Sequence, residues 1–212
     1  MKVTINTVLG CLLCLAGASR VAGAAEEAGH EGLTHEIAAC MLLGNQEEIA
    51  LAQFAEQHAE HADVKEFAKA LVAAHTNAVA SIKKAAPEVA DLQLTAGKGV
   101  TSDLKSQHHQ ALAMLQQVKS ECLALTEKEL GEYKGNEFDQ AFIGQQVGAH
   151  IGMLAQLRGS KNFASPELQK VISEGEKTTE AHMAAAKKIM SQLKTNASTT
   201  ARVGQRPAAG TR

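Results

Sequence analysis

The sequence predicts an all-α protein, an antiparallel up-and-down four-helix bundle with an additional long helix between its two hairpins. Three observations carry that expectation. Only 3% of the 212 residues are aromatic, and Ala, Leu, Gln, Lys and Glu dominate the middle of the chain, a composition that favours helix over sheet. Pro87, Pro166 and Pro207 are the only prolines, so long stretches carry no helix breaker. Apolar residues also recur at alternating steps of three and four through five runs, the period of a helix with one buried face. The length suffices for one domain with a sizeable core.

The expected order begins with an export signal over residues 1–24. Met1-Lys2 gives a positive start, Val8–Ala18 an apolar run and Ala22-Gly23-Ala24 a small-residue cleavage site. The apolar run is about half the roughly 20 residues that a membrane-spanning helix needs. Cleavage would remove Cys11, Cys14, Lys2 and Arg20, leaving 19 of the 21 basic residues against 23 acidic ones and a formal charge of −4. That balance gives no electrostatic reason for a nucleic-acid or anionic-membrane partner. Cys40 and Cys122 remain, and an oxidising compartment makes a disulfide between them the first expectation, with two buried thiols as the alternative.

Residues 25–32 read as a flexible lead to a helical domain over 33–194. Its first helix, 34–61, has Thr34 as cap and the stripe Ile37, Met41, Gly44, Glu48, Leu51, Ala55 and His58. The second, 63–86, opens on Asp63 with Glu66 in a capping-box arrangement. Its stripe is Val64, Ala68, Leu71, His75, Ala78, Ile82 and Ala86, and Pro87 stops it. The short turn between them makes an antiparallel hairpin.

Residues 87–103 read as a linker, with Gly97 and Gly99 and no sustained period. A third helix over 103–133 carries the stripe Leu104, His108, Ala111, Leu115, Val118, Cys122 and Leu125. The fourth, 136–158, has Asn136 as cap and the stripe Asp139, Ile143, Gln146, His150, Met153 and Leu157, with Gly159 closing it. Gly144, Gly148 and Gly152 recur at steps of four, a pattern that suggests a close helix–helix approach. The fifth, 165–194, starts on Ser165 with Pro166 at its first position and Glu167 in its first turn. Its stripe runs Leu168, Ile172, Gly175, Thr179, His182, Ala186, Ile189 and Leu193. Residues 195–212 are small, polar and basic, a disordered tail by composition.

Two long segments, 44–79 and 137–189, resemble the exported bacterial family catalogued as domain of unknown function 4142. The resemblance rests on Glu48 with the following Ala52-x-Phe54-Ala55 region, Val64-Lys65-x-Phe67-Ala68 leading to His75, Phe138-Asp139 leading to His150, and His182. It spans about residues 33–193. It implies a ferritin-like four-helix bundle exported from a bacterial cell, and no established activity comes with it. The long 103–133 helix departs from the family pattern, which leads one to expect a shorter connection.

Four of the stripes turn an ionisable group inward: Glu48, His75, His150 and His182, with Asp139 beside them. Facing helices that supply His and carboxylate groups at one height can bind a metal. Counting from a turn at Ala62, Glu48 and His75 both lie about 20 Å along their helices and can face each other. Between Gly159 and Ser165, His150 and His182 are offset by about 12 Å, which matches His182 to Asp139 and His150 to Glu174. Asp139 has a competing role as a first-turn carboxylate favoured by the helix dipole. The paired Glu-x-x-His signature of di-iron bundles is absent, and no Gly-rich phosphate loop or Gly-x-Ser-x-Gly elbow occurs. Two readings follow: a non-enzymatic envelope or periplasmic protein of stress or interaction, whose inward histidines bond to neighbouring polar groups, or a bundle holding a divalent transition metal (zinc, copper or iron) on nitrogen and oxygen ligands.

Overall fold

A computed structural model of the chain describes the backbone of residues 24–94 and 107–203, and the side chains of 33–94 and 110–195. The export signal expected over residues 1–24 lies outside that range except for Ala24, as do residues 95–106 and 204–212. The described residues form five α-helices: α1 (Ala24–His58), α2 (Ala62–Ala85), α3 (Gln107–Gly131), α4 (Asn136–Ser160) and α5 (Pro166–Val203). Short 3-10 turns follow α2 at Pro87–Val89 and α4 at Lys161–Phe163. There is no strand among the described residues, so the all-α expectation is met. No helix among them is long and apolar enough to cross a membrane.

α1 starts ten residues before Thr34 and takes in residues 25–32, where a flexible lead was expected. Alanine and glutamate in that stretch are strong helix formers and outweigh Gly29 and Gly32. Thr34 is accordingly not a cap. Its hydroxyl accepts the Ser165 N–H at 3.0 Å, tying the start of α5 to α1. α5 begins as its sequence indicates, with Ser165 Oγ accepting the Leu168 N–H at 3.3 Å and Pro166 at the first helical position. It continues beyond residue 194 to Val203, into the expected tail.

Two other starts differ from expectation. α2 is capped by His61, whose Nδ1 accepts the Asp63 N–H at 3.2 Å. Glu66 pairs with Lys69 at 2.8 Å. Ahead of α4 the capping position falls on Gly135, at φ 59°, and Asn136 is the first helical residue. A side chain at Gly135 would be strained at that φ and would meet the Glu60 carboxylate at 3.3 Å. Residues 87–94 are held to α1, with Gln46 Oε1 accepting the Leu94 N–H at 2.5 Å and Gln46 Nε2 donating to Leu92 O at 3.0 Å.

α1 and α2 form an antiparallel hairpin, as do α4 and α5, and α2 packs along α5. α3 lies chiefly against α1. Glu47 meets Lys119 at 2.8 Å, and Phe54 lies beside Gly131, so α3 runs in the same direction as α1. The face it buries is offset from the expected stripe, of which Leu115 and Cys122 are half-buried. Gln116, Ser120, Leu123 and Leu130 are buried, whereas Val118 is 39% and Leu125 64% exposed. α3 carries apolar residues on two faces, and on the one turned to α1 Lys119 pairs with Glu47 and the Gln116 side chain bonds to Gln93 O. The glycine row on α4 makes no close approach either. A Cβ at Gly148 or Gly152 would meet nothing within 4 Å, and one at Gly144 only Met190 at 3.5 Å.

The apolar core falls into two clusters. One includes Leu51, Phe67, Leu71, Phe138, Phe142, Ile143 and Ala186; the other includes Leu42, Ile82, Leu157, Leu168 and Ile172. Between them sit buried polar residues: Asn45 and Glu48 on α1, His75 on α2, Gln146 and His150 on α4, Thr179 on α5. The chain thus places one polar layer across the middle of its core.

Candidate metal centre

Three of the predicted residues meet in that layer. The ring centroids of His75, His150 and His182 are 5.8, 5.4 and 5.2 Å apart, a nearly equilateral triangle drawn from α2, α4 and α5. One nitrogen from each ring lies within 4.8 Å of the other two. His75 is 3% and His150 0% exposed, and His182 is half-buried. Among the described residues no other group of three His, Cys, Asp or Glu side chains brings ligand atoms this close.

Outer contacts fix which nitrogens face inward. Asn45 Nδ2 donates to Met41 O at 2.7 Å, which leaves Asn45 Oδ1 to accept from His75 Nδ1 at 2.7 Å. His150 Nδ1 donates to Gln146 O at 2.9 Å. Both rings therefore carry their proton on Nδ1 and present Nε2 as a bare lone pair. His182 Nδ1 donates to His150 Nε2 at 3.2 Å, and a metal held by both nitrogens would replace that proton. Two ligands held about 2.1 Å from one tetrahedral ion are about 3.4 Å apart, so this pair already has ligand spacing. His75 Nε2 is buried with no hydrogen-bond partner. An acceptor stranded in this way costs about 1–3 kcal/mol, and such atoms ask for an explanation.

Electrostatics keep the cluster neutral. Burial, with His150 and His182 nearby, pushes His75 down to about 3. Burial likewise takes His150 down to about 4, and His182 is lowered by the same cause. Imidazoles that stay unprotonated through the physiological range are the form a metal requires. The donor set of neutral nitrogens suits zinc, copper or iron, and it is not the set that magnesium or calcium selects.

Glu48 and Asp139 do not join the three histidines. Glu48 Oε2 accepts from Gln146 Nε2 at 3.0 Å, so it touches the centre only through Gln146. Its burial raises the carboxyl to about 7. Asp139 is buried at the other end of α4, about 16 Å along the helix from His150. Its two oxygens accept the Glu60 and His61 N–H groups at 3.1 and 2.8 Å, tying α4 to the α1–α2 turn. Glu174 is exposed and pairs with Lys177 at 2.8 Å, away from His150.

The cysteines form no disulfide, contrary to the sequence expectation; both are half-buried thiols on the α1–α3 seam. Cys122 bonds to Glu47, two helical turns and about 10 Å of axis beyond Cys40. Burial, and then Glu47, push its thiol up to about 11.

A family model described as a domain of unknown function (DUF4142) matches residues 19–189, a span that contains all three histidines and their partners. The chain belongs to the DUF4142 family. No curated protein and no solved structure matches it. Two residues of this DUF4142 site were not singled out by sequence. Asn45 was passed over because the α1 stripe was drawn through Gly44, although an asparagine inside a helix, four residues after Met41, is itself a signal of an inward bond. Gln146 stood on the α4 stripe, one turn from His150, without a role.

Proposed function

We propose that this protein is a metal-binding helical bundle that holds one transition-metal ion, zinc, copper or iron, between His75, His150 and His182. The observation that carries the reading is the convergence of three neutral ring nitrogens within 4.8 Å, one of them, His75 Nε2, buried and without a partner. The rest of the proposal is an antiparallel, ferritin-like four-helix arrangement of α1, α2, α4 and α5 with α3 as the added helix, in a protein exported to the periplasm or outer envelope by its first 24 residues. Three imidazoles around one ion leave room for a further ligand, as open sites do. Metal analysis after purification, with thermal melts in added zinc, copper and iron, tests the reading. Stoichiometric metal or a clear stabilisation is expected, and its loss in a His75→Ala, His182→Ala double variant. No metal and no shift would overturn the function; metal retained by the double variant would overturn the residues.

A second reading, an interaction protein of the envelope, is favoured by the apolar face that α3 turns outward, where Met114 is 60% and Leu125 64% exposed. Its expected sign is self-association or surface binding that a Met114→Glu, Leu125→Glu variant loses while its metal content stays unchanged.

A further inference from the structure

We propose that Gln146 supplies a fourth donor to the three-histidine centre through its side-chain oxygen, and that Glu48 is the positioning residue that turns this oxygen away from itself. The inference rests on the metal-binding reading above. Among the described residues two buried side-chain polar atoms lack a partner, His75 Nε2 and Gln146 Oε1. Both are acceptors, and both belong to the polar layer. Gln146 is 0% exposed and lies one turn before His150 on the same face of α4. Its backbone oxygen accepts from His150 Nδ1 at 2.9 Å, so the two residues are fixed relative to each other.

The carboxamide has one orientation open to it. Nε2 donates to Glu48 Oε2 at 3.0 Å and to Gln145 Oε1 at 2.9 Å. Turning the amide over would set its oxygen against Gln145 Oε1 and the ionised form of Glu48. Oε1 is thereby held on the side away from Glu48, with no donor to meet it. A hydrogen-bond donor from the protein would satisfy one of the two orphaned acceptors. A cation would take a lone pair from each of them; a water molecule donating both its O–H groups is the alternative, and the zinc titration below decides between the two. Three imidazole nitrogens and a neutral amide oxygen make a four-donor set without a charged ligand. That set suits a borderline ion such as zinc better than a soft one such as cuprous copper.

Zinc titration of the full chain against a chromophoric chelator tests this. Gln146→Met keeps the volume and removes the oxygen, and its zinc affinity is expected to fall at least about 10-fold, the lower end of the loss seen when a site's supporting groups are removed. Glu48→Gln, which leaves an oxygen for the Gln146 N–H, is expected to weaken zinc by a smaller factor. In the unaltered protein the side-chain carbonyl carbon resonance of Gln146 should move on zinc loading, a readout that a purely structural glutamine would not give and that needs no variant to fold. An unaltered chain that binds no zinc overturns the three-histidine centre and this inference together. Zinc binding with a stationary Gln146 carbonyl resonance, or an undiminished affinity in a folded Gln146→Met, overturns the fourth donor alone.

Discussion

Acidification of the metal-free protein from pH 7 to pH 5 should lower its stability, and Glu48→Gln should about double the loss. His75 and His150 titrate near 3 and 4 in the fold, against 6.5 for an ordinary histidine. The unfolded chain therefore takes up protons at pH 5 that the folded chain refuses. The stability these groups contribute is present above pH 6.5 and is lost as pH falls towards their folded values. Over this interval each loses about 2 kcal/mol, since one pKa unit is about 1.4 kcal/mol, and His182 adds to the loss in the same direction. Glu48 works oppositely. Its carboxyl is raised from 4.5 to about 7, so its contribution is present at low pH and fades as pH rises to 7. Acidification thus returns about 2 kcal/mol at Glu48 and hides one of the two histidine losses. Urea denaturation at the two pH values should show a net loss of about 2 kcal/mol for the protein and about 4 for Glu48→Gln. Equal pH dependence in the two proteins would refute the role of Glu48, and a gain on acidification in Glu48→Gln would refute the burial of the neutral cluster.

Three further outcomes follow from individual contacts. Asp139→Ala removes the acceptor of two backbone N–H groups; urea unfolding should show a loss of about 2–4 kcal/mol, with metal content unchanged, whereas metal lost from a folded variant would return Asp139 to the centre. Leu123→Ala, on the buried face of α3, should cost about 2–4 kcal/mol, and Leu125→Ala, 64% exposed, less than about 0.5; a reversed order in thermal or urea melts would put the wrong face of α3 against α1. Alkylation of the denatured, unreduced chain should label both Cys40 and Cys122 as read by mass spectrometry, and protection of the two together would restore the disulfide.

The elements were legible in the sequence because each helix repeats one period over more than twenty residues, and the inward histidines were legible because they fall on that period. Heights were harder, since they depend on where each turn lies. Asn45, rather than Glu48, faces His75 because the α1–α2 turn centres on residues 59–61, about two residues before the expected Ala62. His150 reaches His182 because α4 runs through Gly159 to Ser160 and the 3-10 turn then carries the rise to Phe163. Gly159 keeps a negative φ, so it does not act as a helix stop. The added length removes most of the 12 Å offset, and the imidazole side chains span what remains. The face of α3 was illegible for another reason. Periodicity reports that a helix has apolar stripes, and α3 has two of them; which one packs depends on the neighbouring helix, not on the period.

The position of the polar layer bears on why it is there. Apolar clusters lie on both sides of it, at Leu51, Leu71, Ile143 and Ala186 on one and at Leu42, Ile82, Leu157 and Ile172 on the other. Leucine or valine at His75, His150 and Gln146 would join the two clusters into one continuous core, and replacing buried polar groups by well-packed apolar ones is often neutral or stabilising. The layer instead keeps two buried acceptors without partners, each costing about 1–3 kcal/mol. Hydrogen bonding within the layer does not account for that cost, because it leaves those two atoms unsatisfied. An ion bound between them, as proposed, would. At a free concentration one hundred times its dissociation constant it would add about 2.7 kcal/mol to the folded state, enough to offset one or both stranded acceptors. A bundle optimised for stability alone has no use for this arrangement, whereas one that takes up and releases a metal ion requires a site that is formed, neutral and unsatisfied before the ion arrives.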